Sequence, residues 1–520
     1  VYSTLSSANQ IYFPHDRDIV MAMDGANRPR MSTNGTDWNL SGIDAPSSAA
    51  VASSISSGAL SSGEYAFAYT YKHRGTAHES NGSAESTITL QATTGAIHLA
   101  ASPSTDTKVD AYVWYGRHKT PDGESVLRKI SSGSASTVRV LSSAWTSNDE
   151  IPTNHNVPVT GLRFAVAWKN RWWASSGTIG NRLYFTELFL PQAWPSLFFI
   201  DIPFEKGDSI AAIVPYGDTL QIWGQSGLFL VIGQTSLDFE VRPSQGDDTG
   251  AFGPRAAKRV EQSVIHVSGD SISSNDGASD RSLSHDITPA HRDLVSNSAS
   301  TSLELIDVVH DHLRHEVRVS VPRVYPTGVR GEWILSLDRS RDQEGVPAWT
   351  TTDRDIHLYI HWDGNEPTAG NRGRLFSMPS TSGIVYEENV GETANSSNMR
   401  MEYEGAGVSM GLHRARVVDA HVEYEPHSGT FSIEAVVDEV PQGPITLNIG
   451  SGLYVYDDTA SVYDAATYAG AGRKKAYTPL PIAANGRAVV TKFVYVGQER
   501  MKVFTHAYGI VPEVRPTQLD

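Results

Sequence analysis

Cysteine is absent from all 520 residues, which excludes a disulfide framework, a thiolate nucleophile and thiolate ligands at any metal site. Long apolar runs are missing as well: stretches such as 209–214 and 228–232 fall far short of the about 20 residues a membrane-spanning helix needs. Basic charge is in deficit, with 42 Lys and Arg against 58 Asp and Glu for a formal net charge of −16. That argues against a broad basic face that coats nucleic acid. No charged-then-apolar leader follows Val1, so no targeting signal is expected from these first residues. Amphipathic helical spacing is scarce, and only 292–307, with its serine-rich middle, could hold a turn or two of helix. No phosphate-binding glycine loop or dinucleotide fingerprint occurs.

What is present is a chain with 39% hydrophobic and 9% aromatic residues, ample for cores and too long for a single one. Its dominant period is two. Glu64-Tyr65-Ala66-Phe67-Ala68-Tyr69-Thr70-Tyr71, His315-Glu316-Val317-Arg318-Val319-Ser320-Val321 and His421-Val422-Glu423-Tyr424 alternate in the manner of half-buried strands. The expected fold class is therefore mostly β. A loose recurrence sharpens it: an Asn-bearing turn followed by a short apolar strand appears at Asn9–Phe13, Asn170-Arg171-Trp172-Trp173, Asn181-Arg182-Leu183-Tyr184-Phe185 and, more loosely, Asn371-Arg372-Gly373-Arg374-Leu375-Phe376. Asp218–Trp223 into Gly227–Ile232, and Val264–Val267 into Ser271–Ser273, read as strand–turn–strand units. Repeated hairpins that cannot bury their own apolar face suggest a β-propeller or a related radial sheet array.

Serine-rich 47–62 reads as a linker. About 63–159 then has the size of an immunoglobulin-like or fibronectin-like sandwich, with Trp114 and Trp145 as core anchors. The expected organisation is 1–50 as the first propeller strands, 51–160 as an inserted fibronectin-like β-sandwich, 161–400 as the propeller body, and 401–520 as C-terminal β-strands completing or capping it. Insertion at an exposed loop is the tolerated place for such a module.

Chemistry is harder to find. His310-x-His312-x-x-His315 is the best metal candidate, because alternate strand positions would put His310 and His312 on one face; a solvated turn is the competing reading. Asp247-Asp248, Asp353-x-Asp355 and Asp457-Asp458 could hold a cation, but none has the spacing of a calcium loop. Gly224-Gln225-Ser226-Gly227 reads as a hairpin turn, since Leu228 stands where a nucleophile elbow needs its second glycine. His315-Glu316 lacks the second histidine of a zinc protease. Ser32–Trp38 and Ser273–Asp280 come near the S-x-D-x-G-x-x-W box of sialidase-type propellers without matching it. Trp168, Trp172, Trp173, Trp194 and Trp223 read as core in preference to a sugar-stacking platform. No catalytic, cofactor-binding or metal-ligating residue is assigned, no cofactor is expected, and the chain is expected not to be an enzyme.

The middle of the chain carries a resemblance. Asn181-Arg182-Leu183-Tyr184-Phe185-Thr186-Glu187 leads to Pro191-Gln192-Ala193-Trp194-Pro195, then to Phe199-Ile200-Asp201-Ile202, Gly207-Asp208-Ser209-Ile210 and Val214-Pro215-Tyr216-Gly217-Asp218; Thr249-Gly250-Ala251-Phe252-Gly253-Pro254-Arg255-Ala256 follows. This order resembles the propeller-bearing virion proteins of tailed bacteriophages, the group that includes tail nozzle (tail tubular protein B-like) proteins. Tyr112-Val113-Trp114-Tyr115 with Glu150–Asn154 is similar to their fibronectin-like insert, Gly383-Ile384-Val385-Tyr386-Glu387 to a late blade, and Arg414-Ala415-Arg416-Val417 with Pro479-Leu480-Pro481 to their C-terminal domain. The resemblance implies a structural component of a phage tail: a homo-oligomeric ring, often of six, that closes the distal DNA-exit channel and acts in DNA ejection. It implies contacts with other tail proteins (adaptor and fibres), passage of genomic DNA without sequence-specific binding, no membrane span, assembly in the host cytoplasm and a final place in the virion. A ring of subunits each at −16 would repel a sliding duplex instead of pinning its phosphates. A host-surface or glycan-binding tail adhesin is the alternative, and a propeller glycosidase a further one.

Overall fold

The computed structural model describes residues 10–388 apart from 92–94, 120–125, 143–144, 146, 206, 245–249, 278, 323–329, 338–346, 353–355, 363–373 and 380–383; beyond 398 it describes the backbone of separate strands. The expected fold class holds: the chain is mostly β, built from short antiparallel sheets. Two compact units divide it, 1–254 and 255–520.

Unit one contains three four-stranded up-and-down sheets. Sheet I runs through His15–Asp16, Ile19–Ala22, Arg30–Ser32 and Asn39–Leu40. Sheet II comprises Leu162–Trp168, Arg171–Ser176, Arg182–Phe185 and Phe199–Asp201, and sheet III Ala212–Tyr216, Thr219–Trp223, Leu228–Ile232 and Glu240–Pro243. Their first strands lie side by side, which is how propeller blades meet. Unit two repeats the pattern. Sheet IV has Ala257–Val260, Ser263–Val267, Ile272–Asn275 and Asp280–Ser282; sheet V starts with Asp307–Asp311, Glu316–Pro322, Arg330–Ser336 and Ala348–Thr352; sheet VI has Leu358–Trp362, Arg374–Met378 and Tyr386–Glu387. Here too the first strands of successive sheets are neighbours.

The first hairpin of each of sheets I to V turns through a left-handed residue: Arg17 (φ 51°), Lys169 (48°), Gly217 (56°), Glu261 (51°) and His315 (50°). In sheet II, Lys169 and Asn170 both have positive φ between the paired Trp168 and Arg171, the two-residue turn whose twist matches its strands. Packing between sheets follows the period of two. Met21, Met23 and Met31 of sheet I meet Leu162, Trp172 and Trp194, while Trp173, Phe185 and Leu183 of sheet II meet Ile213, Leu220 and Ile222 of sheet III. Trp168, Trp172, Trp173, Trp194 and Trp223 are all buried, so the core reading of these tryptophans holds. Each is worth about 3–5 kcal/mol against truncation to alanine.

Between sheets I and II in sequence lies a two-layer sandwich. One layer has the order Arg128–Gly133, Ala111–Lys119, Gly63–Lys72, Ser86–Leu90; the other has Thr137–Val140, Gly95–Ala100, Val51–Leu60. The first order is that of immunoglobulin strands G, F, C and C′, and the second places its last strand where D normally sits. Tyr65, Phe67, Tyr69 and Trp114 from one layer and Leu60, Ile97, Leu99 and Val140 from the other share one core, with Trp145 packed at its edge. The expected linker at 47–62 is corrected: Val51–Leu60 is a ten-residue strand paired with Gly95–Ala100. Its four serines are all exposed, as suits a strand at the edge of its layer.

Helical stretches among the described residues include Thr288–Asn297, Ser300–Leu303 and one 3₁₀ turn, so the helical stretch starts earlier than the 292–307 window, with a proline in its first turn. Toward the C-terminus the strands lengthen. Ala348–Thr352 pairs with Met399–Glu404, which continues sheet V through Ala488–Gly497 to Gly429–Val437; Ala415–Tyr424 pairs with Lys474–Pro479 and Val503–Pro512 in a further sheet.

Candidate functional site

The densest charge cluster among the described side chains sits between sheets V and VI. Sheet V presents Asp307, Val309 and Asp311 from its first strand, Glu316, Arg318 and Ser320 from its second, and Glu332 and Ile334 from its third, all on one face because they are register partners or two residues apart. Sheet VI covers that face with Tyr359, Leu375 and Ser377, joined by Glu388. Arg318 is buried at 1% exposure. Its Nη1 donates to Glu388 Oε2 at 2.9 Å and lies 3.5 Å from Glu332 Oε1; its Nη2 donates to Asp311 Oδ2 at 2.7 Å and lies 3.6 Å from Glu316 Oε2. The Tyr359 hydroxyl donates to Glu332 at 2.7 Å, the Ser377 hydroxyl to Glu388, and the Tyr359 amide to Asp307 at 2.8 Å.

Burial alone would depress the Arg318 pKa, but the four surrounding carboxylates, Glu332 foremost, outweigh it and hold the guanidinium above its ordinary range. Each of the four is engaged by the same cation, so the arrangement acts as an ionic brace between two sheets. It does not present a general acid and a general base to a substrate.

His315–Val321 is expected to be a half-buried strand; the structure buries both faces of Val317–Val321, because sheet VI covers the polar one. The only sequence signal was charge alternating with valine in Glu316-Val317-Arg318-Val319. Glu332 and Glu388 lie 14 and 70 residues from Arg318, too far for local pattern to connect them.

The histidine run falls on the first hairpin of sheet V. His310 is buried at the end of its strand and His312 lies exposed in the turn. Their ring centroids are 3.9 Å apart, and His312 stands 5.3 Å from His361 of sheet VI. The His310 imidazole is held down at about 4, by burial first and by His312 next, while Glu261 and Asp311 pull the other way. Among the described residues no three His or acidic side chains converge to hold a metal ion. The pairs Asp247-Asp248, Asp353-x-Asp355 and Asp457-Asp458 lie outside the described residues.

The residues that carry the phage-protein resemblance hold the architecture together. Asn181 Nδ2 donates to Ile202 O at 3.1 Å, and Arg182 forks onto Asp201 at 2.7 and 2.8 Å while its guanidinium sits 3.8 Å over the Phe199 ring. Thr186 Oγ1 accepts the Trp172 amide at 2.9 Å, and buried Gln192 accepts the Gly42 amide and donates to Thr76 of the sandwich at 3.0 Å. Asp208 accepts the Gln225 and Ser226 amides, each at 3.0 Å, which fixes Gly224–Gly227 as the expected hairpin turn. The two near-boxes also take equivalent places: Ser32–Trp38 and Ser273–Asp280 each span the turn between the third and fourth strands of their sheet.

A second junction joins the sandwich to sheet I. Lys108, buried, donates to the carbonyls of Leu40 and Gly42 and lies 3.3 Å from Asp106; Arg28 donates to Ser41 O at 2.8 Å and Gly42 O at 2.9 Å. Burial lowers the Lys108 pKa, opposed by Asp106. Nearby, buried His78 stacks on His155 at 5.7 Å, and burial brings its pKa down to about 3.

No family model matches the chain, and no curated protein matches it. Solved structures do. The chain is similar to the exo-β-1,3-galactanase of Phanerochaete chrysosporium (10% identity, 76% of this chain and 93% of that one, TM-score 0.23), to a glycoside hydrolase (8%, 95% and 96%, TM-score 0.17), and to the extracellular domain of a hybrid two-component system of B. thetaiotaomicron (9%, 76% and 63%, TM-score 0.22). At these values the likeness is one of fold and transfers no substrate or residue role. It does overturn one expectation: the chain was expected not to be an enzyme, and the solved structures it matches include glycoside hydrolases, so the absence of catalysis is not retained.

Proposed function

We propose that the chain is a virion protein of a tailed bacteriophage, placed at the tail as a nozzle-type ring subunit that takes part in DNA ejection. The ordered run from Asn181 to Asp218 carries this reading. Its polar side chains are spent on backbone groups and on neighbouring strands, which suits a part selected for rigidity. Residues 51–160 would form a self-contained module that contacts neighbouring tail proteins, and a net charge of −16 per subunit would let DNA pass without being held.

The second reading is carbohydrate-directed, as a glycan-binding adhesin or a propeller glycosidase. Its support is that the solved structures matched include glycoside hydrolases, one of them a galactanase. Immunogold electron microscopy of particles produced by the source strain tests both. Label on the tail axis at its distal end is expected. Label at fibre positions favours the adhesin, and absence from particles overturns the virion assignment. Hydrolysis of a β-1,3-galactan by the purified chain, abolished by one Asp or Glu substitution, would establish the glycosidase.

A further inference from the structure

An aromatic pair on sheet I stands apart from the buried ones. Phe13 is 47% exposed, and its ring meets partly exposed Trp38 edge-on, with centroids 5.8 Å apart and planes at 72°. Trp38 closes the loop 32–38, which seven hydrogen bonds make rigid. Ser32 Oγ accepts the Asn34 and Gly35 amides and donates to Asn34 Oδ1. Asn34 Oδ1 accepts the amides of Thr36 and Asp37, and Asn34 Nδ2 donates to Asp37 Oδ2 at 2.7 Å. The indole Nε1 donates to Gly35 O at 3.2 Å, which fixes the ring plane. Thr36, Asp37 and Asn39 flank Trp38 along the chain and are exposed.

We propose that Phe13 and Trp38 form a subsite for a neutral hexopyranose. Aromatic surface held in place by its own hydrogen bonds offers an apolar platform to the C–H face of a sugar, and little ordering cost remains to be met on binding. The exposed Thr36, Asp37 and Asn39 side chains offer a hydroxyl, a carboxylate and an amide, the partners that sugar hydroxyls take. The Asp37 carboxylate selects against uronates and sialates by like-charge repulsion. This inference gives the carbohydrate-directed reading a place on the molecule and rests on that reading. Particle labelling and sugar binding can fail independently of each other.

Saturation-transfer difference NMR on the full chain tests it, with methyl β-galactoside, methyl β-glucoside and methyl β-glucuronide as probes. Transfer to ring C–H protons of a neutral glycoside is expected, with affinity about tenfold weaker in Trp38→Ala and in Phe13→Ala, the loss of one aromatic contact. Phe189→Ala, which removes another exposed ring, should change nothing. Phe13→Ala decides the matter if Trp38→Ala lowers the melting temperature. No transfer to either neutral glycoside, transfer undiminished in Phe13→Ala, or stronger transfer to the glucuronide would overturn the proposal.

Discussion

Replacing Arg318 by methionine keeps most of the side-chain volume and removes the guanidinium that engages Asp311, Glu316, Glu332 and Glu388. Removing one partner of a buried ion pair costs about 3–5 kcal/mol, because the remaining charge is left uncompensated. Several carboxylates share this loss, so the upper half of that range is expected. For a unit of this size, that corresponds to a melting temperature lower by roughly 10 °C or more. The sign of the pH dependence is the sharper test. Carboxylates stranded in a buried interface bind protons more tightly in the folded variant than in its unfolded chain, so the variant's deficit narrows as pH falls from 7 to 5. Differential scanning calorimetry of both proteins at the two pH values measures this, following the transition that contains sheets V and VI. Adding Glu332→Gln to Arg318→Met should recover part of the loss at pH 7, since it removes one of the stranded charges. A variant melting within 2 °C of the parent at pH 7, or a deficit that widens at pH 5, would refute the ionic-brace reasoning.

Lys108→Met should free the Leu40 carbonyl, leave Gly42 O to Arg28 alone, and expose the 40–44 crossing to limited proteolysis several-fold faster than in the parent, with the sandwich core intact by near-UV circular dichroism. His310, whose imidazole burial holds near 4, favours its neutral form when folded; the unfolded chain therefore binds more protons between about pH 6.5 and 4, and stability falls as pH drops through that window. His310→Phe should flatten that part of the curve in urea titrations. Deleting residues 51–160 with a short closing linker should leave a soluble β protein by far-UV circular dichroism, since Tyr65, Phe67, Trp114, Ile97 and Leu99 form a core among themselves. Complete loss of soluble protein would count against a self-contained module.

Much of the β architecture was legible because it is local. Alternation in Glu64–Tyr71, the Asn170 and Asn181 hairpins and the Gly224–Gly227 turn each lie within one strand pair, where side-chain period and turn chemistry suffice. Legibility failed where a local pattern has two physical origins. Serines in 47–62 mark an exposed edge strand as readily as they mark a linker, and pairing with Gly95–Ala100 decides between them. Glu316-Val317-Arg318 alternates whether its polar face meets water or another sheet, and only the distant Tyr359, Ser377 and Glu388 show which. The solvated-turn reading of the histidine run fits His312 but not His310, which is buried in its strand, and the approach of His361 depends on a strand far along the chain. The aromatic residues that sequence density drew attention to are buried, while Phe13 was read only as a strand residue and Trp38 only as the end of a near-box.

The capture of three successive carbonyls, Leu40 to Gly42, by Arg28 and Lys108 has a mechanical consequence. A chain crossing with free peptide groups behaves as a swivel and dissipates any tug as local rotation. Here two cationic side chains, one from the sandwich and one beside sheet I, hold the backbone, so torque applied to the sandwich is delivered to the strands of sheet I. The sandwich then works as a lever arm, and a load at its tip is felt at the root.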